Sequence, residues 1–180
     1  DPPFDPKVWA RLGSELGVLG LAVPEDDGGA GGSLVDQAVA VEELGAALAC
    51  GPLFGTVYLA IPALVAASAG GDLLAPLVEG TRTAALAVGD VAGAFDATAI
   101  RVQAVPADQD WALTGTVERV VDAGAADTLL VAATGPDGVG LYAGEAIRSL
   151  DLPPLMAVTM FGAFFIAMRA LVLAGLPVIV

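Results

Sequence analysis

Few residues of this 180-residue chain could carry acid–base, nucleophilic or metal chemistry. The sequence contains no histidine and one cysteine, Cys50. Without histidine the chain can form neither a Ser-His-Asp triad nor a histidine metal site. The motif GxxxxGK followed by Ser or Thr is also absent, which excludes a P-loop. We therefore expect no catalytic residue and no metal ligand in this chain, so the chemistry must come from a cofactor, a partner or a further domain.

The charged residues narrow the choice of partners. Acidic residues outnumber basic ones by 21 to 7, and the formal net charge of −14 makes a nucleic-acid partner unsuitable. Glu25, Glu42 and Glu43 are predicted to lie on a loop or a helix surface, where a carboxylate is usually solvated, so none is assigned as a catalytic base. A single cysteine excludes an intramolecular disulfide and favours a reducing compartment, so we expect the protein to be cytoplasmic.

The stretch 15–48 predicts a helix end, a glycine-rich loop and a second helix. Gly17 suits a left-handed helix end, and the proline and glycines of 24–32 favour turns. Ser33 followed by Asp36 forms a capping-box pattern that predicts a new helix start. Apolar and small residues then recur at helical spacing and predict a buried face, formed by Leu34, Ala38, Val41, Gly45 and Leu48.

Three further helices are predicted before residue 80. Asp5 and Pro6 predict the start of the first helix, whose buried stripe would contain Val8, Leu12 and Leu16, with Trp9 beside them. A second candidate covers 52–69, with Pro62 expected to kink or split it. A third covers 72–78. Residues 1–80 are therefore predicted to form an all-helical domain.

The hydrophobic period changes from Thr83 onward to that of strands. An alternation typical of a half-buried strand follows, in which Ile100, Val102 and Ala104 alternate with Arg101, Gln103 and Val105. Short turns separate the other predicted strands, which cover 84–88, 111–115, 117–121, 128–134 and 139–142. The predicted fold class is α+β, an all-helical N-terminal domain followed by an antiparallel β-barrel-like middle domain at 81–152.

Residues 153–180 form an apolar tail with one charge, Arg169. The tail is long enough to span a bilayer as a helix, but Arg169 near its centre would cost about 2.5–3.5 kcal/mol. It could instead contain the next strand, with an altered end of a truncated gene behind it. We favour the truncated protein over a membrane anchor and expect the chain, which begins at Asp1, to be part of something longer.

Two groups of motifs resemble those of acyl-CoA dehydrogenases. The first matches the family pattern ELGxLGLxVPExxGGxG and a later EELG; it comprises 15–21, 23–25, 28–31 and 42–45. The second matches the middle domain of that family, at 85–87, Asp96, 111–115, 126–127 and 129–133. The resemblance covers roughly Val8 to Ser149.

The resemblance implies a flavoprotein. Members of the family dehydrogenate acyl-CoA thioesters at the α,β bond with bound FAD, in fatty acid or sterol side-chain catabolism, and they form oligomers. Their catalytic base is a glutamate of a C-terminal helical domain that lies outside this chain. We therefore expect an oxidoreductase that assembles with identical or different acyl-CoA dehydrogenase subunits, and a chain that is inactive alone.

The flavin-contacting motifs of the family map onto four positions of this chain. Val88 and Gly89 stand in the place of the family's LTE motif, so the hydroxyl of that motif is missing. Arg119 stands where the family has a tryptophan, and Val121 where it has a threonine. Phe95 replaces a small serine beside the acyl thioester and would narrow the substrate pocket.

These departures leave two interpretations. In the first, backbone contacts retain FAD and the changed side chains only tune it. In the second, the flavin site has degraded, and the chain is a non-catalytic scaffolding subunit of a heteromeric acyl-CoA dehydrogenase. Both interpretations are compatible with the same fold. Both also predict that apolar surface, normally covered by the C-terminal helices, causes the isolated chain to self-associate.

Overall fold

The structure, a computed structural model, describes residues 4–68, 70–88, 100–107 and 110–145 and the backbone of 170–172. The helices are α1 (Pro6–Ser14), α2 (Leu34–Ala46), α3 (Ile61–Ala66) and α4 (Gly71–Val78), and a π-helix, Leu53–Ala60, runs directly into α3. The strands are β1 (Ala84–Ala87), β2 (Gln103–Ala107), β3 (Asp110–Thr114), β4 (Thr128–Gly135), β5 (Gly138–Glu145) and β6 (Ala170–Val172).

Helix α1 begins where the sequence predicted. The Asp5 side chain accepts a hydrogen bond from the Lys7 N–H at 2.8 Å, and Pro6 occupies the first turn. The predicted buried stripe is only partly right. Leu12 is buried, whereas Val8 is 44% exposed and Leu16, beyond the helix end, is 67% exposed. The largest side chain, Trp9, forms the buried centre instead, because the helix turns its widest apolar surface inward.

Trp9 organises the core of the helical part. It packs with Leu12, Leu19 and Val57, and the Phe4 ring meets it edge-on with centroids 5.9 Å apart. Its indole N–H is buried and has no hydrogen-bond partner among the residues that the structure describes. Apolar contact therefore dominates the environment of this side chain.

Helix α2 has the predicted cap but a different orientation. Ser33 and Asp36 exchange the two hydrogen bonds of a capping box. The expected buried face is wrong: Leu34 and Leu48 are 73% and 84% exposed, Ala38 and Gly45 are exposed, and Val41 is half-buried. Gln37 is the buried residue of this helix. Helical spacing identified an apolar face but could not show that the described chain covers it.

The predicted helix over 52–69 is divided next to Pro62, which was expected to kink or split it. The segment begins as the π-helix and continues as α3, with Pro62 in the first turn of α3. The first turn of an α-helix tolerates proline, because an N–H there has no intrahelical acceptor. The change of helix type therefore occurs just before Pro62.

The strand part shows the predicted α+β class, with a mixed sheet following the helices. Val102 and Ala104 are buried, while Gln103 and Val105 are exposed, as the alternation predicted. The strand order is β1-β4-β2-β3-β6-β5, with a further pairing between β4 and β5. Strands β2 and β3 pair antiparallel over five residue pairs, Gln103↔Thr114 to Ala107↔Asp110.

The expected antiparallel barrel is not confirmed. Among the described residues, strand β2 pairs with β4 in parallel at Gln103↔Thr134, and β3 meets β6 at Trp111↔Ala170. The sheet is therefore mixed, and these described pairings do not establish barrel closure. The predicted strand at 117–121 is also wrong, because these residues have no strand structure.

The chain forms two compact units that do not divide at a single point. The first contains Asp1–Leu86 and Val121–Thr128, and the second contains Ala87–Val120 and Leu129–Val180. The second unit has a core formed by Ala87, Val102, Ala104, Leu113, Val131, Ala133 and Tyr142. The domain boundaries that we derived from the sequence remain a prediction.

Among the described residues, no helix has the length and apolar character required to cross a membrane. In the tail, the structure describes the backbone of Ala170–Val172 as strand β6, which pairs with β5 at three positions. The interpretations of the rest of the tail lie outside the described residues.

Candidate flavin-contact region and the return segment

The glycine-rich loop at 24–32 is closed by its own backbone. The N–H groups of Ala30, Gly31 and Gly32 donate to the carbonyl oxygens of Gly20, Val23 and Leu21, respectively, at 2.8–3.0 Å. Amides that cradle a phosphate must point at the ligand. Because these amides are bonded internally, the loop has a structural role. Glu25, Glu42 and Glu43 are exposed, as expected.

The predicted cofactor positions that follow β1 are only partly described. Val88 is half-buried directly after β1 and belongs to the second unit. Gly89 and the predicted substrate-binding residue Phe95 lie outside the described residues. Their predicted roles therefore remain predictions, and Val88 offers only a backbone N–H and carbonyl as polar groups.

The other two predicted cofactor positions lie in the loop between β3 and β4. Arg119 is exposed and has a left-handed backbone with φ of 57°. Val121 is 42% exposed. No ion pair of Arg119 is found among the described residues. Its exposed guanidinium stands where the family resemblance led us to look for an aromatic ring.

At Val121 the chain returns to the first unit, and we call residues 121–128 the return segment. Asp122 begins this attachment: its Oδ2 accepts a hydrogen bond from the Gly55 N–H at 2.7 Å. Its backbone is also left-handed, with φ of 59°, and its carbonyl accepts from the Ala125 N–H at 2.9 Å. The carboxylate thus binds an amide in the first turn of the π-helix, where intrahelical acceptors are missing.

Gly55 is matched to this contact. A Cβ atom added there would lie 2.8 Å from the Asp122 Cβ and 3.0 Å from the Val121 carbonyl oxygen. Real Cβ atoms essentially never come within 3.0 Å of such a neighbour, so an alanine would push the return segment away. Glycine permits the close approach of backbone to backbone.

Thr83 and Asp127 attach the other end of the return segment. The Thr83 hydroxyl donates to the Ala125 carbonyl at 2.7 Å, and the Thr83 N–H donates to Asp127 Oδ2 at 3.0 Å. The Thr83 carbonyl accepts from the N–H groups of Asp127 and Thr128, both at 3.0 Å. Thr83 is 2% exposed, so these bonds are shielded from water.

Sequence reasoning missed these anchors. Asp122 and Gly55 are separated by 67 residues, and Thr83 and Asp127 by 44. Pairs so distant leave no periodic pattern in a single sequence. The available signal was weaker: Ala126-Asp127 matched a family motif, which indicated a constraint at Asp127 but not its partner.

The described ionisable groups with altered pKa values do not form an acid–base pair. Burial raises the pKa of Tyr58, whose ring stacks on Phe54 at 6.0 Å. Burial and the nearby Asp137 charge raise the pKa of Tyr142. Both tyrosines therefore stay protonated at neutral pH and cannot serve as bases there. The described residues contain no His, Cys, Asp and Glu cluster suited to a metal ion.

Comparison with known proteins identifies the helical part directly. The model of the acyl-CoA dehydrogenase N-terminal domain matches residues 1–70. Acyl-CoA dehydrogenase IpdE2 of Mycobacterium tuberculosis is 40% identical over 86 residues, which cover 48% of this chain and 27% of IpdE2. Residues 1–70 therefore belong to the acyl-CoA dehydrogenase family. The chain spans about a quarter of the length of this curated relative.

Solved acyl-CoA dehydrogenase structures extend the similarity into the strands. A variant of the Tcur3481-Tcur3483 steroid ACAD is 38% identical with a TM-score of 0.64, covering 80% of this chain and 40% of that chain. The ChsE4-ChsE5 complex from Mycobacterium tuberculosis is 29% identical with a TM-score of 0.64, covering 82% of this chain and 40% of that chain. Both similarities reach beyond the residues that the domain model matches.

FAD is the cofactor that acyl-CoA dehydrogenases generally bind. The polar groups at the candidate positions of this chain fit a flavin, but they are fewer than the family motifs would supply. The carbonyl oxygens of a flavin ring edge accept hydrogen bonds, which the Arg119 guanidinium and backbone N–H groups can donate. The side chains of Val88 and Val121 can contact a ring face but cannot hydrogen-bond. The described candidate positions therefore offer donors without any hydroxyl group.

Proposed function

We propose that this chain supplies the N-terminal and middle part of an FAD-dependent acyl-CoA dehydrogenase. The observation that carries the proposal is the 38% identity to a steroid acyl-CoA dehydrogenase structure over 80% of the chain. In this role, bound FAD supplies the electron acceptor for α,β-dehydrogenation of an acyl-CoA thioester. Backbone groups near Val88, Gly89 and Val121, together with the Arg119 guanidinium, would contact the flavin, and Phe95 would border the acyl group.

The proposed substrate is the CoA thioester of a fatty acid or of a sterol side chain. The similarity to the Tcur3481-Tcur3483 steroid ACAD favours the sterol side chain. The catalytic base would come from outside this chain, since the exposed Glu25, Glu42 and Glu43 lack the burial that tunes a base. We also propose a cytoplasmic location, on the basis of the single cysteine.

The proposed partner is a second acyl-CoA dehydrogenase subunit, identical or different. Two of the similar structures are complexes of paired proteins, ChsE4-ChsE5 and Tcur3481-Tcur3483. Helix α2 presents Leu34, Val35 and Val39 at 73%, 71% and 56% exposure, an apolar surface that monomers usually cover. We call these three residues the α2 apolar face and propose that it lies in the assembly interface.

A second function, a non-catalytic scaffolding subunit, is supported by the side chains at Arg119 and Val121. Neither carries the hydroxyl or the aromatic ring that the resemblance implies for a flavin contact. In that case the chain would stabilise a partner that alone carries the flavin. The two proposals differ in where FAD binds, so they are separable by experiment.

The test uses the chain expressed alone and coexpressed with a homologous acyl-CoA dehydrogenase subunit. Stoichiometric FAD absorbance at about 450 nm in the chain itself supports a catalytic part, because the cofactor is then held by this polypeptide. A colourless chain that copurifies with a yellow partner supports the scaffolding function. A colourless chain that copurifies with no acyl-CoA dehydrogenase subunit would contradict both proposals.

A further inference from the structure

The contact between Asp122 and Gly55 joins a residue with a left-handed backbone conformation to the start of a helix. The π-helix and α3 form one continuous helical run from Leu53 to Ala66. The Gly55 N–H lies in its first turn and donates to Asp122 Oδ2 at 2.7 Å. A carboxylate is the favoured group at this end of a helix, because the free N–H groups there carry partial positive charge.

The backbone at Asp122 has a strained, left-handed conformation, which the hydrogen bond from the Gly55 N–H helps to hold. A non-glycine residue with φ of 59° is uncommon, and it persists when surrounding interactions hold it. Three features hold Asp122: the bond to Gly55, the bond from the Ala125 N–H at 2.9 Å, and the absence of a side chain at Gly55. The surrounding structure therefore determines the path of the chain at this residue.

Val121 directly precedes Asp122, so the contacts that hold Asp122 also fix the position of Val121. The Val121 carbonyl lies 3.0 Å from the place that a Gly55 Cβ would occupy, so its peptide plane is pressed against the helix start. The Val121 side chain remains 42% exposed. The same close contact therefore holds the Val121 backbone against the helical unit and leaves its side chain accessible.

We infer that Asp122 is a positioning residue for the proposed flavin contact at Val121. Its carboxylate holds the Gly55 N–H and thereby sets the Val121 peptide, without touching the cofactor. This inference rests on the proposed function. Asp122 thus supports the backbone of the proposed site, although its neighbours Arg119 and Val121 carry no hydroxyl group.

The experiment compares Asp122→Ala, Asp122→Asn and Asp26→Ala in the full chain. Asparagine keeps one oxygen acceptor, alanine removes it, and Asp26 is an exposed carboxylate of the glycine-rich loop. Hydrogen exchange of the Gly55 amide reports the anchor without FAD, and FAD affinity by flavin fluorescence reports the positioning. Circular dichroism and the exchange of α1 amides show whether each variant is folded.

We expect Asp122→Ala to speed Gly55 exchange and to weaken FAD binding, each by about tenfold or more, because a bond to a charged acceptor is lost. Asp122→Asn should restore most of both properties, and Asp26→Ala should change neither. If Asp122→Ala stops the chain from folding, Asp122→Asn and Gly55→Ala provide the same comparison, with faster exchange expected for Gly55→Ala.

The two readouts separate the two claims. Unchanged Gly55 exchange in folded Asp122→Ala would overturn the anchor. Faster exchange with unaltered FAD affinity would overturn the positioning role while leaving the proposed function intact. A wild-type chain that binds no FAD at all, alone or with its partner, would overturn the proposed function and with it the flavin part of this inference.

Discussion

Helices α1 and α2 have equally clear capping signals in the sequence, but α1 lies in the core and α2 is largely exposed. Both begin with a side-chain cap at the predicted residue, Asp5 in one and Ser33 in the other. Helix α1 buries Trp9, Leu12 and Gly13, whereas α2 buries Gln37 and leaves its apolar face in solvent. Caps depend on a few neighbouring residues, but the burial of a face depends on what the rest of the chain places against it.

A glycine in each helix provides the sharpest test of this contrast. Alanine is the better helix former, so propensity alone favours Gly13→Ala and Gly45→Ala by about 1 kcal/mol each. A Cβ at Gly13 would lie 2.4 Å from the Glu79 carbonyl carbon, whereas a Cβ at Gly45 meets nothing within 4 Å. We expect Gly13→Ala to reduce the free energy of unfolding by about 2 kcal/mol through overpacking.

Gly45→Ala is the matched control, and we expect it to raise stability by about 0.5–1 kcal/mol. Urea denaturation followed by circular dichroism measures both changes. Equal effects of the two substitutions would contradict the contrast between the helices. A loss of stability in Gly45→Ala alone would mean that α2 is packed against another part of the chain.

The cap of α2 should contribute less, because it acts at an exposed helix end. Ser33→Ala removes the hydroxyl that accepts the Asp36 N–H, and we expect a loss of about 1 kcal/mol. The hydrogen bonds from Ser33 lower the pKa of Asp36 below its ordinary value. The stability from this group is therefore complete above the unfolded-state pKa and is lost as the pH falls through the lower folded-state pKa.

A urea titration at neutral and at acid pH checks both parts of this prediction. Wild type should lose more stability than Ser33→Ala between the two pH values, because the variant lacks the hydroxyl that donates to ionised Asp36 and keeps only the backbone N–H donor. Parallel losses in the two proteins would show that the capping box does not stabilise α2. Thr81→Val serves as the control, because the exposed Thr81 hydroxyl donates to the Pro76 carbonyl, which does not titrate.

The distinction between local signals and the burial of a helix face explains what could be predicted from the sequence. The helix starts at Asp5 and Ser33 and the strand alternation at Val102 and Ala104 follow from adjacent residues, and the structure has them. The family motifs led to the α+β class. The buried faces of α1 and α2 were wrong because helical spacing finds an apolar stripe without showing its neighbour.

The limit of prediction from sequence is clearer at the candidate site. The loop at 117–121 was predicted as a strand. The structure has instead a turn and the return segment, since Asp122 binds Gly55 and Asp127 binds Thr83. These long-range hydrogen bonds override the local preference for a strand, and nothing in residues 117–121 alone indicates them.

Light scattering tests the central claim, that α1 buries its apolar face within the chain while α2 uses its own for assembly. The experiment compares wild type at low micromolar concentration with the triple variant Leu34→Ser, Val35→Ser and Val39→Ser. We predict that wild type self-associates and that the variant shifts towards the monomer with its core unfolding transition retained. A wild-type chain that stays a monodisperse monomer for hours would contradict the claim.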